Sequence, residues 1–205
     1  MASWDNWMPE LVLAAPTAPA PLIHQCLNRA ARAFLRQTRA WQEWLEPTAV
    51  TGAGFREYGF DLPPGAELLR IERATANGRT LEVAQGRDLP ADPWRHAHNG
   101  QAYLVSTDLE NFTVAAGTAG PVQVFVTLIP SLRATSVPPP MGSLYHEAIR
   151  EGAKAELLNT SGTDYYKPDQ AAVALAFFQR AMDDASADVW RSNTGRVSRG
   201  RTQWL

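Results

Sequence analysis

Few residues here have the types and spacing that catalysis or metal binding requires. His96-Ala-His98 sets two imidazoles close together, with Asp92 nearby, which is the start of a metal-ligand set. A third ligand is not evident, and Asn99-Gly100 makes the segment read as a turn. His146-Glu147 lacks the second histidine of the zinc-protease pattern, and Gly52-Ala-Gly54 matches neither dinucleotide nor phosphate-loop spacing. His24 falls at the start of a helix and reads as structural. Cys26 is the only cysteine, which excludes an intrachain disulfide and a cysteine-based zinc site. No catalytic residue, metal or cofactor is therefore expected. A small enzyme with a dispersed site near the 87–101 loop is the reading this leaves open, and it requires a pocket with a strongly perturbed titratable group.

Charge is the more informative chemistry. Residues 191–205 hold Arg191, Arg196, Arg199 and Arg201, no acid, and end on Trp204 and Leu205. Such a segment has too little apolar surface to fold alone and reads as an extended basic arm. The chain is −2 overall and this segment +4, which leaves −6 on residues 1–190. A basic arm on an acidic body suits docking between like copies or onto an acidic partner. A duplex-binding domain is more often basic over a whole face. A second basic feature is the series Arg29, Arg32, Arg36 and Arg39. It reads either as a solvated face or as a face toward an acidic neighbour or DNA in a channel. Asp183, Asp184 and Asp188 crowd the end of a predicted helix, where its dipole disfavours anions. Arginines of a neighbouring copy would neutralise them; solvent screening is the competing account.

The elements that must position these groups follow from periodicity. Residues 1–21 are broken by Pro9, Pro16, Pro19 and Pro21 and read as an extended N-terminal arm with Trp4, Trp7, Leu11 and Val12 as apolar points. They read equally as a strand or loop on their own domain. From Leu22 to about Glu46, Ile23, Leu27, Ala30, Phe34, Trp41 and Leu45 recur at helical spacing. On an ideal wheel they centre near about 130°, and the arginine stripe near about 320°. Residues 47–137 alternate in short runs: Tyr58 to Leu62, Leu69 and Ile71, a turn at Asn77-Gly78, a hairpin across Asp108–Asn111, and Val122 to Leu128. They predict a small antiparallel sandwich or barrel. Pro138–Pro140 reads as a stiff extended linker. Residues 141–190 predict two helices, with Leu144, Tyr145, Ala148, Ile149 and Ala155 inward in the first. In the second, Ala171, Leu175, Phe178, Met182, Ala185 and Val189 form a seam for a helix of the same chain. The expectation is an α+β protein: a long N-terminal helix and a C-terminal pair as a bundle, an interposed β module, and extended terminal arms. Neither a secretory leader nor a membrane span is predicted.

This order resembles the head-to-tail adaptor proteins of tailed bacteriophages, in particular the tail tubular adaptors of short-tailed phages. The likeness lies first in Trp7-Met-Pro-Glu-Leu-Val-Leu, then Pro19-Ala-Pro21 and Leu27-Asn-Arg-Ala-Ala-Arg-Ala-Phe34 through Trp41. It continues in Tyr58-Gly-Phe-Asp-Leu62-Pro-Pro-Gly-Ala-Glu67 and Asn77-Gly-Arg79-Thr-Leu81-Glu. Tyr145-His-Glu-Ala-Ile149, Gly152-Ala-Lys-Ala and Pro168 to Phe178 complete it. These motifs cover most of residues 4–182 and carry no catalytic signature. One departure is Phe34-Leu35, where similar sequences often show Phe-Cys.

The resemblance implies a homo-oligomeric ring, usually of twelve copies, below the portal protein in the virion, assembled in the host cytoplasm. The ring continues the DNA channel for ejection, without sequence-specific binding, and offers a platform to a downstream tail or nozzle protein. Related C-terminal extensions reach the portal. Here that would make Trp204 and Leu205 apolar anchors, with Arg191, Arg196, Arg199 and Arg201 steering them. The alternative is a nucleic-acid-binding protein that uses the arginine stripe and arm.

Overall fold

The computed structural model describes residues 2–51, 56–86, 103–114 and 118–194, with side chains up to Arg191. The fold is α+β, and the chain divides into two compact units, residues 1–40 with 137–205 and residues 41–136.

The first unit is helical. α1 spans Met8–Ala14, α2 Ala20–Thr38, α3 Pro139–Leu144, α4 His146–Leu158 and α5 Pro168–Thr194. α2 and α4 run antiparallel, since Arg29 meets Glu156 while Phe34 meets Tyr145. The 159–167 connection reverses the chain into α5, so α5 lies parallel to α2, and Phe34 and Phe178 meet at 6.1 Å between ring centroids. Gly152 permits the close approach of all three helices. A Cβ built there would sit 2.8 Å from Phe178 Cε2 and 3.0 Å from the Ala30 Cβ.

Several expectations change in this unit. The extended N-terminal stretch is instead folded: Trp4, Trp7 and Leu11 are fully buried in one cluster with Ile23, Leu27 and Ile149. Pro9 stands in the first turn of α1, where its missing N–H is not required. A polar clamp holds the segment down. Trp7 Nε1 donates to the His146 carbonyl at 3.0 Å, and its ring stacks on the His146 imidazole. Glu10 accepts from Arg150 and pairs with His146 Nε2 at 3.0 Å. α2 ends at Thr38, not near Glu46. Arg39 adopts left-handed backbone (φ 53°, ψ 33°), and the Thr38 hydroxyl donates back to the Phe34 carbonyl. Pro139 and Pro140 open α3 rather than extending a linker, and Leu144 is exposed. The α5 seam faces its own chain as expected: Ala171, Phe178, Met182 and Ala185 are buried. Leu175, though, is 45 % exposed, and Ala174 is buried in its place.

The second unit is one mixed sheet, not an antiparallel sandwich. Its strands are β2 (Gln42–Trp44), β3 (Thr48–Thr51), β4 (Glu57–Gly59), β5 (Ala66–Ala76), β6 (Arg79–Gln85), β7 (Tyr103–Ser106), β8 (Asn111–Val114) and β9 (Ala119–Pro130). The order is β2-β9-β5-β6-β7-β8-β4, with β3 also on β9. Two short strands, β1 (Ala2–Ser3) and β10 (Ser136–Val137), pair separately. β9 is the spine: Val122, Val124, Val126 and Leu128 are all buried, as their alternation predicts. Asn77 (φ 49°) and Gly78 (φ 75°) make the two-residue turn joining β5 to β6, with Ala76 opposite Arg79. β7 and β8 form the expected hairpin; the Asp108 carboxylate accepts from the Glu110 and Asn111 amides, each at 2.9 Å, and is held below its ordinary pKa by them. The departure is β6 against β7, which is parallel. Parallel pairing needs a crossover of a dozen or more residues, and residues 86–102 supply that length.

Two outcomes follow from these contacts. Gly152→Val should lower unfolding free energy by about 1–3 kcal/mol, because the new side chain must displace the Phe178 ring; denaturant unfolding measures it. For Glu10, the Arg150 and His146 hydrogen bonds hold the carboxyl below its ordinary pKa. Its contribution is thus complete above the ordinary carboxylate range and is lost as pH falls through the lowered value. Because Glu10 is partly exposed, Glu10→Gln should cost less than about 1 kcal/mol. The difference in thermal stability should be constant near neutral pH and vanish in acid.

Candidate interaction surfaces

The arginine stripe sits on α2, but its members are not equivalent. Arg29 turns toward α4 and pairs with Glu156 at 2.5 Å, so it is engaged inside the chain. Arg32 is half-buried, while Arg36 and Arg39 are exposed on the last turn of the helix and at its cap. Cations at that end are favoured by the helix dipole. Among the described residues, Arg36 and Arg39 take part in no ion pair.

The acidic cluster is on α5. Asp183, Asp184 and Asp188 are all exposed. Asp188 accepts from Arg191 Nη1 at 2.8 Å, one turn along the same helix. α5 runs to Thr194, so Arg191 is helical and relieves the unfavourable placement of Asp188 from within the chain. Arg196, Arg199, Arg201, Trp204 and Leu205 lie outside the described residues, as do Asp92, His96 and His98.

Two features escaped the sequence reading. The first is a groove of about 450 Å³ between α2, α4 and α5, lined mainly by Ala30, Ala33, Ala155, Ala171, Leu175 and Phe178, with Arg29 and Glu156 at its rim. The second is a pair of exposed apolar side chains on α5, Val173 at 73 % and Phe177 at 46 %. On a helix, Leu175 points about 160° away from both. α5 therefore presents a groove wall on one flank and an apolar ridge on the other. The signal was available: Val173 and Phe177 are large apolar residues four apart that fall off the buried seam.

Chemistry is sparse in the described parts. No group of three or more His, Cys, Asp or Glu among the described residues is placed to hold a metal ion. Cys26 is buried, and that burial pushes its thiol up to about 12, so it is an inert core residue. No helix among the described residues is long and apolar enough to cross a membrane.

Exposed charge and apolar side chains can be tested directly for a role outside the fold. Substituting Arg36, Asp184 or Phe177 by alanine should shift unfolding free energy by no more than about 0.5 kcal/mol, as for surface sites. Urea unfolding checks it; a larger loss would place these side chains in the fold rather than on an interface.

Comparison with known proteins gives the family. No curated protein matches the chain. The family model described as SU10 adaptor protein matches residues 5–202, which takes in both units and extends past Arg196, Arg199 and Arg201. The sequence likeness to phage head-to-tail adaptors stopped near residue 182, so the match reaches further than those motifs did. An adaptor family implies a structural rather than a catalytic role and a place in the virion. With nearly its whole length matched, the chain belongs to the SU10 adaptor protein family.

Proposed function

We propose that this protein is the adaptor ring at the phage head-to-tail junction. It joins the portal to the tail, continues the DNA channel, and engages the portal through its C-terminal basic segment. The observation that carries this reading is the family match over residues 5–202. The charge distribution supports it: −6 on residues 1–190 and four arginines in the remainder. Opposite charges on one chain favour complementary faces between copies and partners, and such complementarity fixes register and speeds encounter. In a closed ring of twelve copies, each weak contact is repeated, and linked contacts multiply in effect. Trp204 and Leu205 supply the apolar anchor that a protein groove recognises and a phosphate backbone does not.

The test compares the full chain with an Arg196→Ala, Arg199→Ala, Arg201→Ala variant and with Trp204→Ala. Both variants should keep the wild-type unfolding midpoint and lose affinity for purified portal rings by about tenfold or more, measured by surface capture at two salt concentrations. Undiminished capture of a chain lacking residues 195–205 would remove the segment from portal recognition. Binding to free duplex DNA should be weak. Tight binding that falls steeply with salt would instead favour the nucleic-acid reading.

A further inference from the structure

We infer that the apolar ridge of α5 on one copy seats in the α2/α4/α5 groove of the next copy, and that this is the head-to-tail contact of the ring. The inference rests on the adaptor reading and names the two faces it requires. A closed ring needs two different faces per subunit, because a contact of like with like stops at two copies. The helical unit offers such a pair. Val173 and Phe177 are exposed on one flank of α5, and the groove opens on the other flank beside Ala30, Ala33 and Leu175. A groove of about 450 Å³ accommodates both ridge side chains.

Charge complementarity selects a second copy over another occupant and sets the direction. Beyond the ridge, α5 carries exposed Asp184 and Asp188. Beyond the groove, α2 carries exposed Arg36 and Arg39, which have no ion partner among the described residues. At about 1.5 Å rise per residue, Asp184 and Asp188 lie about 10 and 16 Å past Phe177, and Arg36 and Arg39 lie about 9 and 14 Å past Ala30. A neighbour's α5 laid parallel to α2, with Phe177 over Ala30, therefore brings acid to arginine in two successive places. α2 and α5 are already parallel within one copy, so rotation about a ring axis roughly along them preserves this direction. The same contact gives Asp184 and Asp188 cationic partners from a neighbour, in addition to the Arg191 that Asp188 meets within the chain.

The test mixes two full-length single-site variants, Phe177→Cys and Ala33→Cys, with a short bis-maleimide. Native Cys26 stays in place, being buried. The mixture should give a cross-linked dimer that neither variant gives alone. A chain carrying both substitutions should give a ladder of dimer, trimer and higher species. In that background, Arg36→Glu or Asp184→Arg alone should lower the yield by about tenfold, since like charges face each other. The two reversals combined should restore it. Phe177→Cys cross-linking only to itself, or the mixture yielding no more than the separate variants, would overturn the proposal. Portal capture is read separately. No capture of the unsubstituted chain by portal rings, with an intact ladder, overturns the portal reading and keeps this contact; capture without the ladder does the reverse.

Discussion

The close approach of three helices at Gly152 governs the rest of the helical unit. With no side chain at that position, the Phe178 ring lies directly over α4 and the Ala30 methyl packs beside it. Interiors are close-packed, so one added methyl group is enough to force a neighbour aside. This contact fixes how α5 is turned. Ala171, Ala174, Phe178, Met182 and Ala185 go inward, and every other property of α5 follows. Leu175 is left at a groove edge, Val173 and Phe177 are left outside, and the acids line up beyond them.

The N-terminal segment depends on the same frame from the other side. Trp4 and Trp7 fill space against α2 and α4, and burial of two indoles supplies a large share of the apolar area of that cluster. Their polar edges need partners, and Trp7 finds one in the His146 carbonyl. Glu10, Arg150 and His146 close the surface above it. These residues fix α1 on the helical unit, while Leu13 at its far end stays exposed.

Much of this was legible in the sequence wherever one signal had one structural meaning. Asn77-Gly78 between alternating runs specifies a tight hairpin because both positions accept positive φ. The valines of β9 alternate because one face of the sheet is buried. Other signals were degenerate. Trp41 and Leu45 continue the helical period of α2 although they belong to the sheet unit, and only the left-handed Arg39 ends the helix. Alternation carries no strand direction, so the parallel β6–β7 pair was invisible. Prolines near residue 9 argued against a helix, yet proline is tolerated in a first turn. Of the exposed side chains, the charges drew notice and the apolar ones did not. Arg29, Arg32, Arg36 and Arg39 stood out, as did Asp183, Asp184 and Asp188, of which Arg29 and Asp188 find partners within the chain, whereas Val173 and Phe177 did not stand out. An apolar residue betrays its exposure only after the buried seam has been placed.

Membership of an adaptor family implies a structural rather than a catalytic role. On the reading proposed above, the ridge and groove on opposite flanks of α5 would be the two faces that a closed ring requires. The central claim is that many copies close into a ring on the portal. Electron microscopy of the full-length chain mixed with purified portal rings tests it most directly. The account predicts portal particles capped by a ring of this protein in register with the portal. Bare portal particles, with the chain remaining monomeric beside them, would contradict it.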